Sequence, residues 1–250
     1  MNRFFVDPET LRGEDVELDK PLSHRLLHVL RLRAGDRIVL LDGRGGEYEA
    51  VLDEVSGSLI RARVLSRREG LPEPATRVVL CQSIVKGDRF DWVLEKGTEI
   101  GVAKFIPLLS ERGVVRPRAG RVERIERWQR IVREAAEQCG RSRMPEVTIP
   151  VSFDEAVQTA KGLRLLPWEG ERNTTLRQAM REIAGRAQDR VTVSLFIGPE
   201  GGFAADEVER AVDNGAQTVS LGPRILRSET AGIVAAAAVL YELGELGSRA

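Results

Sequence analysis

The spacing of apolar and polar positions changes near residue 70. Before it, residues 37–41, 48–52 and 58–65 alternate or run apolar between glycine-rich breaks, and only residues 23–32 have helical spacing. Short segments of this kind are typical of strands in a small antiparallel barrel. Residues 67–74 contain two prolines and no periodicity, which predicts a linker. We therefore expect one domain over residues 1–71 and a second over residues 72–250.

Beyond the linker, apolar strands alternate with amphipathic helices. The predicted strands are 77–83, 104–109, 163–167, 191–197 and 217–221. The predicted helices are 88–100, 120–139, 152–161, 174–185, 204–214 and 229–243. Ser152 followed by Glu155 forms a helix-capping pattern, and Gly215 and Gly244 stand where helix ends need a left-handed residue. The alternation predicts an α/β domain with a mainly parallel sheet.

Composition excludes several classes of protein. The 250 residues are 42% apolar, enough for buried cores. The one long apolar run, Gly232 to Leu243, is too short to cross a membrane, and the first residues lack the apolar core of a signal peptide. Cys81 and Cys139 lie far apart in apolar surroundings, which favours reduced thiols over a disulfide or a metal site. We expect a cytoplasmic protein without a membrane partner.

Charge is balanced overall but not locally. The chain has 38 basic and 38 acidic side chains, whereas residues 112–144 hold ten arginines against four glutamates. The planar guanidinium of arginine suits phosphate groups and stacks on bases. Nucleic acid is therefore a candidate partner.

Three glycine-rich segments are candidates for binding loops. The first, DGRGG at residues 42–46, precedes a strand and not a helix, which predicts a hairpin turn. The other two, IGPEGGF at 197–203 and LGPRILRSETA at 221–231, each lead from a strand into a helix. Such loops lie at the carboxyl ends of strands, where open α/β sheets bind ligands, and glycine lets a ligand approach the backbone. Either loop alone is explained as a packing turn, but together they favour a shared site.

These two loops, with EKGTEIGV at residues 95–102 and REAAEQCGR at 133–141, closely resemble the 16S ribosomal RNA uracil-N3 methyltransferases, knotted enzymes of the SPOUT class. The resemblance covers nearly the whole chain. It implies an α/β fold with a SPOUT-type trefoil-knotted parallel sheet and a small N-terminal PUA-like β-barrel that binds RNA. It also implies a homodimer in which the knot helices pack together. The Ala-rich helix over residues 231–240 fits such packing, although burial within one subunit explains it as well.

The resemblance further implies that S-adenosylmethionine binds in the knot and that no metal is needed. The implied cofactor-binding residues are Leu166, Pro167, Trp168, Ile197, Gly198, Pro199, Glu200, Gly201, Gly202, Leu221, Gly222, Ile225, Leu226, Arg227 and Thr230. The implied substrate is N3 of a specific uridine in 16S rRNA within the small ribosomal subunit. Two alternatives remain open: a SPOUT enzyme that methylates another atom, such as a ribose 2′-hydroxyl, and a non-catalytic RNA-binding assembly factor.

Methylation at N3 of uracil requires loss of an imide proton and stabilisation of the resulting anion. The candidate catalytic residues are Arg133, Glu137, Arg141 and Glu229, with Glu137 or Glu229 as the proton acceptor. Because Arg133 and Glu137 are four residues apart on one helix, an ion pair between them is the alternative. The candidate RNA-binding residues are Arg116, Arg118, Arg121, Arg141 and Arg143.

Overall fold

The chain, seen in a computed structural model that describes residues 1–56, 59–114, 121–184 and 191–247, divides into two compact units. The first unit contains Met1–Glu73 together with Ala136–Met144. The second contains Pro74–Ala135 together with Pro145–Ala250. A single boundary after residue 71 does not describe this division, because a later segment packs with the N-terminal residues.

A five-stranded sheet forms the first unit. Its strands are β1 (Arg3–Phe5), β2 (Asp15–Glu17), β3 (Arg37–Leu41), β4 (Gly46–Ser56) and β5 (Leu59–Glu69). They lie in the order β1-β3-β4-β5-β2; β1 pairs parallel with β3, and the other neighbours are antiparallel. Alternate residues of the strands, such as Ile38, Leu40 and Ile60, are buried in one apolar core with Leu26.

The helix of this unit starts earlier than its apolar spacing predicts. The α1 helix (Lys20–His24) continues into a π-helical turn at Arg25–Val29, whereas the spacing predicted residues 23–32. The carboxylate of Asp19 accepts the N–H of Leu22 at 2.8 Å, and Pro21 suits the first turn of a helix. The Asp19 cap and Pro21 therefore set the start of this helix.

The segment at residues 42–46 is the hairpin turn that its flanking strand predicted. It joins the antiparallel strands β3 and β4, and the Asp42 carboxylate accepts the N–H groups of Arg44 and Gly46, both at 2.8 Å. Gly43 and Gly45 have φ of +69° and +113°, which side chains disfavour. The N–H groups of Arg44 and Gly46 are therefore already used within the turn and are not left for a phosphate.

The second unit has a parallel sheet covered by helices. Its strands are β6 (Arg77–Ser83), β7 (Lys104–Leu109), β8 (Glu146–Val147), β9 (Val151–Ser152), β10 (Leu163–Pro167), β11 (Thr192–Ile197) and β12 (Gln217–Val219). Its helices are α2 (Arg89–Ile100), α3 (Arg121–Cys139, whose last four residues belong to the first unit), α4 (Phe153–Thr159), α5 (Leu176–Ala184), α6 (Ala205–Asp213) and α7 (Ser228–Glu242). The strand order is β12-β10-β11-β6-β7-β8, with β9 beside β7 and every pair parallel. The predicted α/β alternation is confirmed.

Both faces of this sheet are buried. Along β6, Val78 and Leu80 belong to one core, while Val79 and Cys81 belong to another. Parallel strands covered on two faces read as continuous apolar runs, which is why the sequence located them. The two-residue strands β8 and β9 have no periodicity to detect, and the sequence did not predict them.

The helix ends follow local chemistry. The Ser152 hydroxyl accepts the N–H of Glu155 at 3.2 Å, and Gly215 and Gly244 have φ of +82° and +77°. Within the described part of the chain, no helix combines the length and apolarity needed to cross a membrane.

Candidate active site

Three loops follow neighbouring strands at one edge of the parallel sheet. In the order β12-β10-β11, Pro167 pairs with Val219 and Leu165 with Leu195, so the three strands run in parallel register. The loops after β10, β11 and β12 occupy residues 168–175, 198–204 and 220–227. Carboxyl ends of parallel strands are where α/β folds bind ligands.

The first two loops contact each other. Gly202 has φ of +68°, and a Cβ at that position would lie 2.5 Å from Oε1 of Glu169 in the neighbouring loop. A larger residue would have to displace the end of the Glu169 side chain and adopt a φ that side chains disfavour. The backbone conformation at this position therefore favours glycine.

The loop at 198–204 is held by one internal hydrogen bond and by two from other parts of the second unit. Gly202 N–H donates to the carbonyl of Pro199 at 3.0 Å, and Arg112 Nη1 donates to the carbonyl of Gly201 at 3.2 Å. The hydroxyl of Ser228, the first residue of α7, donates to the carbonyl of Gly198. The loop therefore has a defined backbone conformation.

The third loop is open. Gly222 has φ of +111° with no atom within 4 Å of an added Cβ, and the side chain of Ile225 is 91% exposed. Exposed apolar surface beside glycine backbone is suited to cover a flat ligand.

The structure places the predicted cofactor residues on these loops and the strand ends before them, except Thr230, which lies in the first turn of α7. Leu166 and Ile197 lie at strand ends, but their side chains point into the two cores of the second unit and are buried there. Their side chains therefore do not line the loops.

Glu229 lies in the first turn of α7, with its side chain 12% exposed. Its Oε1 is 3.8 Å from Nε of Arg89, and Arg89 Nη1 is 3.5 Å from Oε1 of Glu200 in the glycine loop. Its Oε2 is buried without a hydrogen-bond partner among the described residues. A buried acceptor without a donor is rare and points to a partner supplied by a ligand or water.

A second carboxylate fastens the loop after β10. Glu171 accepts the hydroxyl of Thr218 at 2.6 Å and the N–H groups of Asn173 and Thr174 at 2.7 and 3.0 Å. The Thr218 hydroxyl, followed by these backbone donors, lowers the pKa of Glu171 from 4.5 to about 2. Glu171 is therefore ionised at neutral pH and ties its loop to β12.

Two candidate catalytic residues belong to the first unit, and both have partners there. The Glu137 carboxylate accepts the N–H of Phe5 at 3.1 Å and Nη1 of Arg25 at 2.8 Å. Arg141 forms a two-pronged ion pair with Glu73, with Nε at 3.1 Å from Oε1. The partner that the structure gives Glu137 is thus Arg25, and not the Arg133 that helical spacing offered.

The remaining arginines are spread over the chain. Arg133 is exposed on α3 in the second unit, and Arg143 is exposed in the first. Arg116 and Arg118 lie outside the described residues, and of Arg121 only the backbone at the start of α3 is described.

Sequence reasoning missed several residues that hold this site. Arg89, Arg112 and Glu171 look like ordinary surface charges, and nothing local marks them. Gln82 carried a signal, because it is a polar residue inside the apolar run of β6 and is 1% exposed.

The chain is similar to known RNA methyltransferases over nearly its whole length. It is 36% identical over 241 residues to Ribosomal RNA small subunit methyltransferase E of Synechocystis, a match that covers 95% of this chain and 76% of the relative. It is 31% identical to the protein of the same name from Bacillus subtilis, with 97% of each covered. The structure of Ribosomal RNA small subunit methyltransferase E from Neisseria gonorrhoeae bound to S-adenosyl methionine matches with a TM-score of 0.84 and 33% identity, over 96% of this chain and 97% of the other.

Two family models match the chain in order. Residues 18–65 match the RNA methyltransferase PUA domain, and residues 72–240 match the RNA methyltransferase domain. The expected fold, a SPOUT-type knotted parallel sheet preceded by a small PUA-like domain, is confirmed by these likenesses. With the loops at the carboxyl ends of β10, β11 and β12, they show that the chain belongs to the family of RNA methyltransferases that carry an N-terminal PUA domain.

Proposed function

We propose that the protein transfers a methyl group from S-adenosylmethionine to N3 of a uridine in 16S rRNA of the small ribosomal subunit. The observation that carries the proposal is that three loops meet at one edge of the sheet. The last of them is followed in the chain by Glu229, whose buried Oε2 has no hydrogen-bond partner among the described residues. The solved relative is bound to S-adenosyl methionine, and the curated relatives are named for the small-subunit RNA, which supports both donor and substrate.

The loops fit this cofactor. The glycine loop after β11 offers backbone groups, and the loop after β12 offers open space at Gly222 and the exposed apolar side chain of Ile225. We assign cofactor contacts to Thr230 in the first turn of α7 and to the residues of these loops and the strand ends: the backbones of Leu166 and Ile197, with Pro167, Trp168, Gly198, Pro199, Glu200, Gly201, Gly202, Leu221, Gly222, Ile225, Leu226 and Arg227.

S-adenosylmethionine, when bound, supplies an electrophilic methyl group. The protein must then remove the N3 proton of uracil, and we assign this to Glu229, because its buried Oε2 is ready to accept a hydrogen bond. Arg89 beside Oε1 offsets the charge of the carboxylate. Glu137 is the weaker candidate for proton acceptor, since both of its oxygens already have donors.

RNA binding is assigned to the PUA-like domain and to exposed arginines. Arg133 and Arg143 are exposed and suit phosphate contacts, and Arg116, Arg118 and Arg121 remain candidates by sequence alone. Arg141 is 11% exposed and paired with Glu73, which supports a role in holding the turn after α3 as much as a contact to the uracil.

We also propose that the protein works as a homodimer in the cytoplasm, where ribosomal subunits are assembled. Val234 and Tyr241 of α7 are 41% and 67% exposed, and residues seven apart lie on one helix face. A second copy packed on this face would cover them. Light scattering at micromolar concentration tests this, and a monomer would contradict it.

Methylation is tested on small subunits from cells that lack the gene. We expect incubation with the protein and S-adenosylmethionine to add one methyl group to a uridine of 16S rRNA, located at N3 by nucleoside mass spectrometry. A methyl group on a ribose would contradict the target atom, and no methylation with intact cofactor binding would contradict the enzymatic function.

A further inference from the structure

A chain of three polar groups crosses the interior of the second unit and ends on the glycine loop. Gln82, at the carboxyl end of β6, donates from Nε2 to the hydroxyl of Ser228 at 2.8 Å, and Ser228 donates to the carbonyl of Gly198. Gln82 and Ser228 are 1% and 7% exposed. We call these two residues the Gln82–Ser228 bridge.

The direction of each bond is set by the chemistry of the groups. The carbonyl of Gly198 can only accept, so the single hydroxyl proton of Ser228 is used there. Ser228 must then accept from Gln82, which turns the NH₂ end of the amide toward α7. The bridge has one consistent orientation and specifies where the Gly198 carbonyl points.

That orientation leaves one polar atom of the amide unsatisfied. The other end of the amide, Oε1 of Gln82, is buried without a partner among the described residues. An added Cβ on Gly232 would overlap this oxygen, so a larger residue there would displace the end of the Gln82 side chain. A buried acceptor left unsatisfied is unfavourable, and an apolar residue would avoid the cost, which indicates that the glutamine serves a purpose other than stability.

We propose that Gln82 and Ser228 are positioning residues that hold the loop at 198–202 in its cofactor-binding conformation before the cofactor arrives. The inference rests on the proposed function for the identity of the cofactor, but the ordering of the loop does not depend on it. Preorganisation of this kind lowers the entropy lost on binding and so raises affinity.

The first test is hydrogen exchange of the backbone in the cofactor-free protein. In Gln82→Met, which keeps the length but loses the donor, amides of residues 198–203 should exchange about tenfold faster than in the wild type. The matched control is Ser83→Ala, which removes another buried hydroxyl from the neighbouring position of β6, one bonded to Ser110 and not to the loop. Exchange in the loop should not change in this control.

The second test is calorimetry with S-adenosylmethionine. We expect Gln82→Met and Ser228→Ala each to raise Kd about tenfold, and Ser83→Ala to leave it within about twofold. Equal effects of Gln82→Met and Ser83→Ala on loop exchange and affinity would overturn the inference. No binding by the wild type would instead contradict the proposed cofactor, and the exchange measurement would still decide on the bridge.

A substitution on the opposite side of the amide checks the same mechanism independently. Gly232→Ala should push the flexible end of Gln82 aside and so break its bond to Ser228, which raises Kd as Gln82→Met does. The double variant Gln82→Met/Gly232→Ala should then have about the same Kd as either single variant, because both substitutions remove the same hydrogen bond. Additive losses of affinity would show that the two residues act separately and would overturn the inference.

Discussion

Each compact unit holds one largely buried carboxylate that sequence reasoning proposed as a proton acceptor, and the two differ in their surroundings. Glu137 of the first unit is 6% exposed at its side chain, with one oxygen on Phe5 N–H and the other on Arg25. Glu229 of the second is 12% exposed, faces Arg89 with one oxygen and leaves the other without a partner among the described residues. A carboxylate whose two oxygens both have donors stabilises a fold, whereas one with an unpaired oxygen is a candidate for chemistry.

The sharpest test of this comparison is the neutral replacement Glu229→Gln. We expect the rate of single-turnover methyl transfer at saturating RNA and cofactor to fall at least about 100-fold, because a general base contributes that much or more. Glu242→Gln, at the other end of the same helix, where Glu242 pairs with Arg177, is the matched control and should keep its rate. A normal rate for Glu229→Gln would remove Glu229 from the mechanism.

The converse test is Glu137→Ala. It should lower the free energy of unfolding by about 2 kcal/mol, mainly because it leaves the Phe5 N–H buried without an acceptor; the Arg25 guanidinium also loses its partner, but its side chain is 42% exposed and can be hydrated. Urea unfolding followed by hydrogen exchange in β1 and β3 measures the loss. Glu134→Ala, on the exposed face of the same helix, should cost less than about 0.5 kcal/mol. Equal stability of both variants would show that Glu137 is not structural.

Glu171 is a third carboxylate for this comparison. Like Glu137 it is hydrogen-bonded to its neighbours, but its contribution to stability can be followed by changing the pH. Its pKa is lowered to about 2, so its contribution to stability is complete above pH 4.5 and lost as the pH falls toward 2. Glu171→Gln should therefore lower Tm at pH 7 by on the order of 3 °C, and the difference from the wild type should shrink at pH 3. Thr218→Val, which removes only the hydroxyl donor, should give part of the same effect. Melting curves with an unchanged difference at both pH values would contradict the assignment.

The smallest expected effect is that of Arg133→Ala. Because Glu137 pairs with Arg25, this variant should change stability by less than about 0.5 kcal/mol. If Arg133 contacts a phosphate, RNA binding should weaken and the slope of log affinity against log salt should flatten by about 0.9. Filter binding over a salt series measures both quantities. Arg127→Ala, whose guanidinium already pairs with Asp88 and Asp91, should leave the slope unchanged, and equal slopes for all three proteins would exclude a phosphate contact by Arg133.

Many elements of the fold could be predicted from the local pattern of apolar and polar residues. Two glycine-rich segments of similar composition were told apart by the element that comes next in the chain, a strand after residues 42–46 and a helix after 198–204. Strands such as β6 and β11 were located because parallel strands buried on both faces are continuous apolar runs. The loops at 198–204 and 220–227 were found because each lies between a clear strand and a clear helix, whereas the loop after β10 was indicated only by the family resemblance.

The sequence by itself therefore determined most of the elements of the second unit, their alternation and the loops proposed to bind a ligand. Tertiary structure decided which polar groups are satisfied. Glu137 finds Arg25, 112 residues away, instead of Arg133 four residues away, and Gln82 finds Ser228 at a separation of 146 residues. Periodicity reports only which face of an element is buried, whereas a hydrogen bond depends on which two side chains meet after the elements have packed.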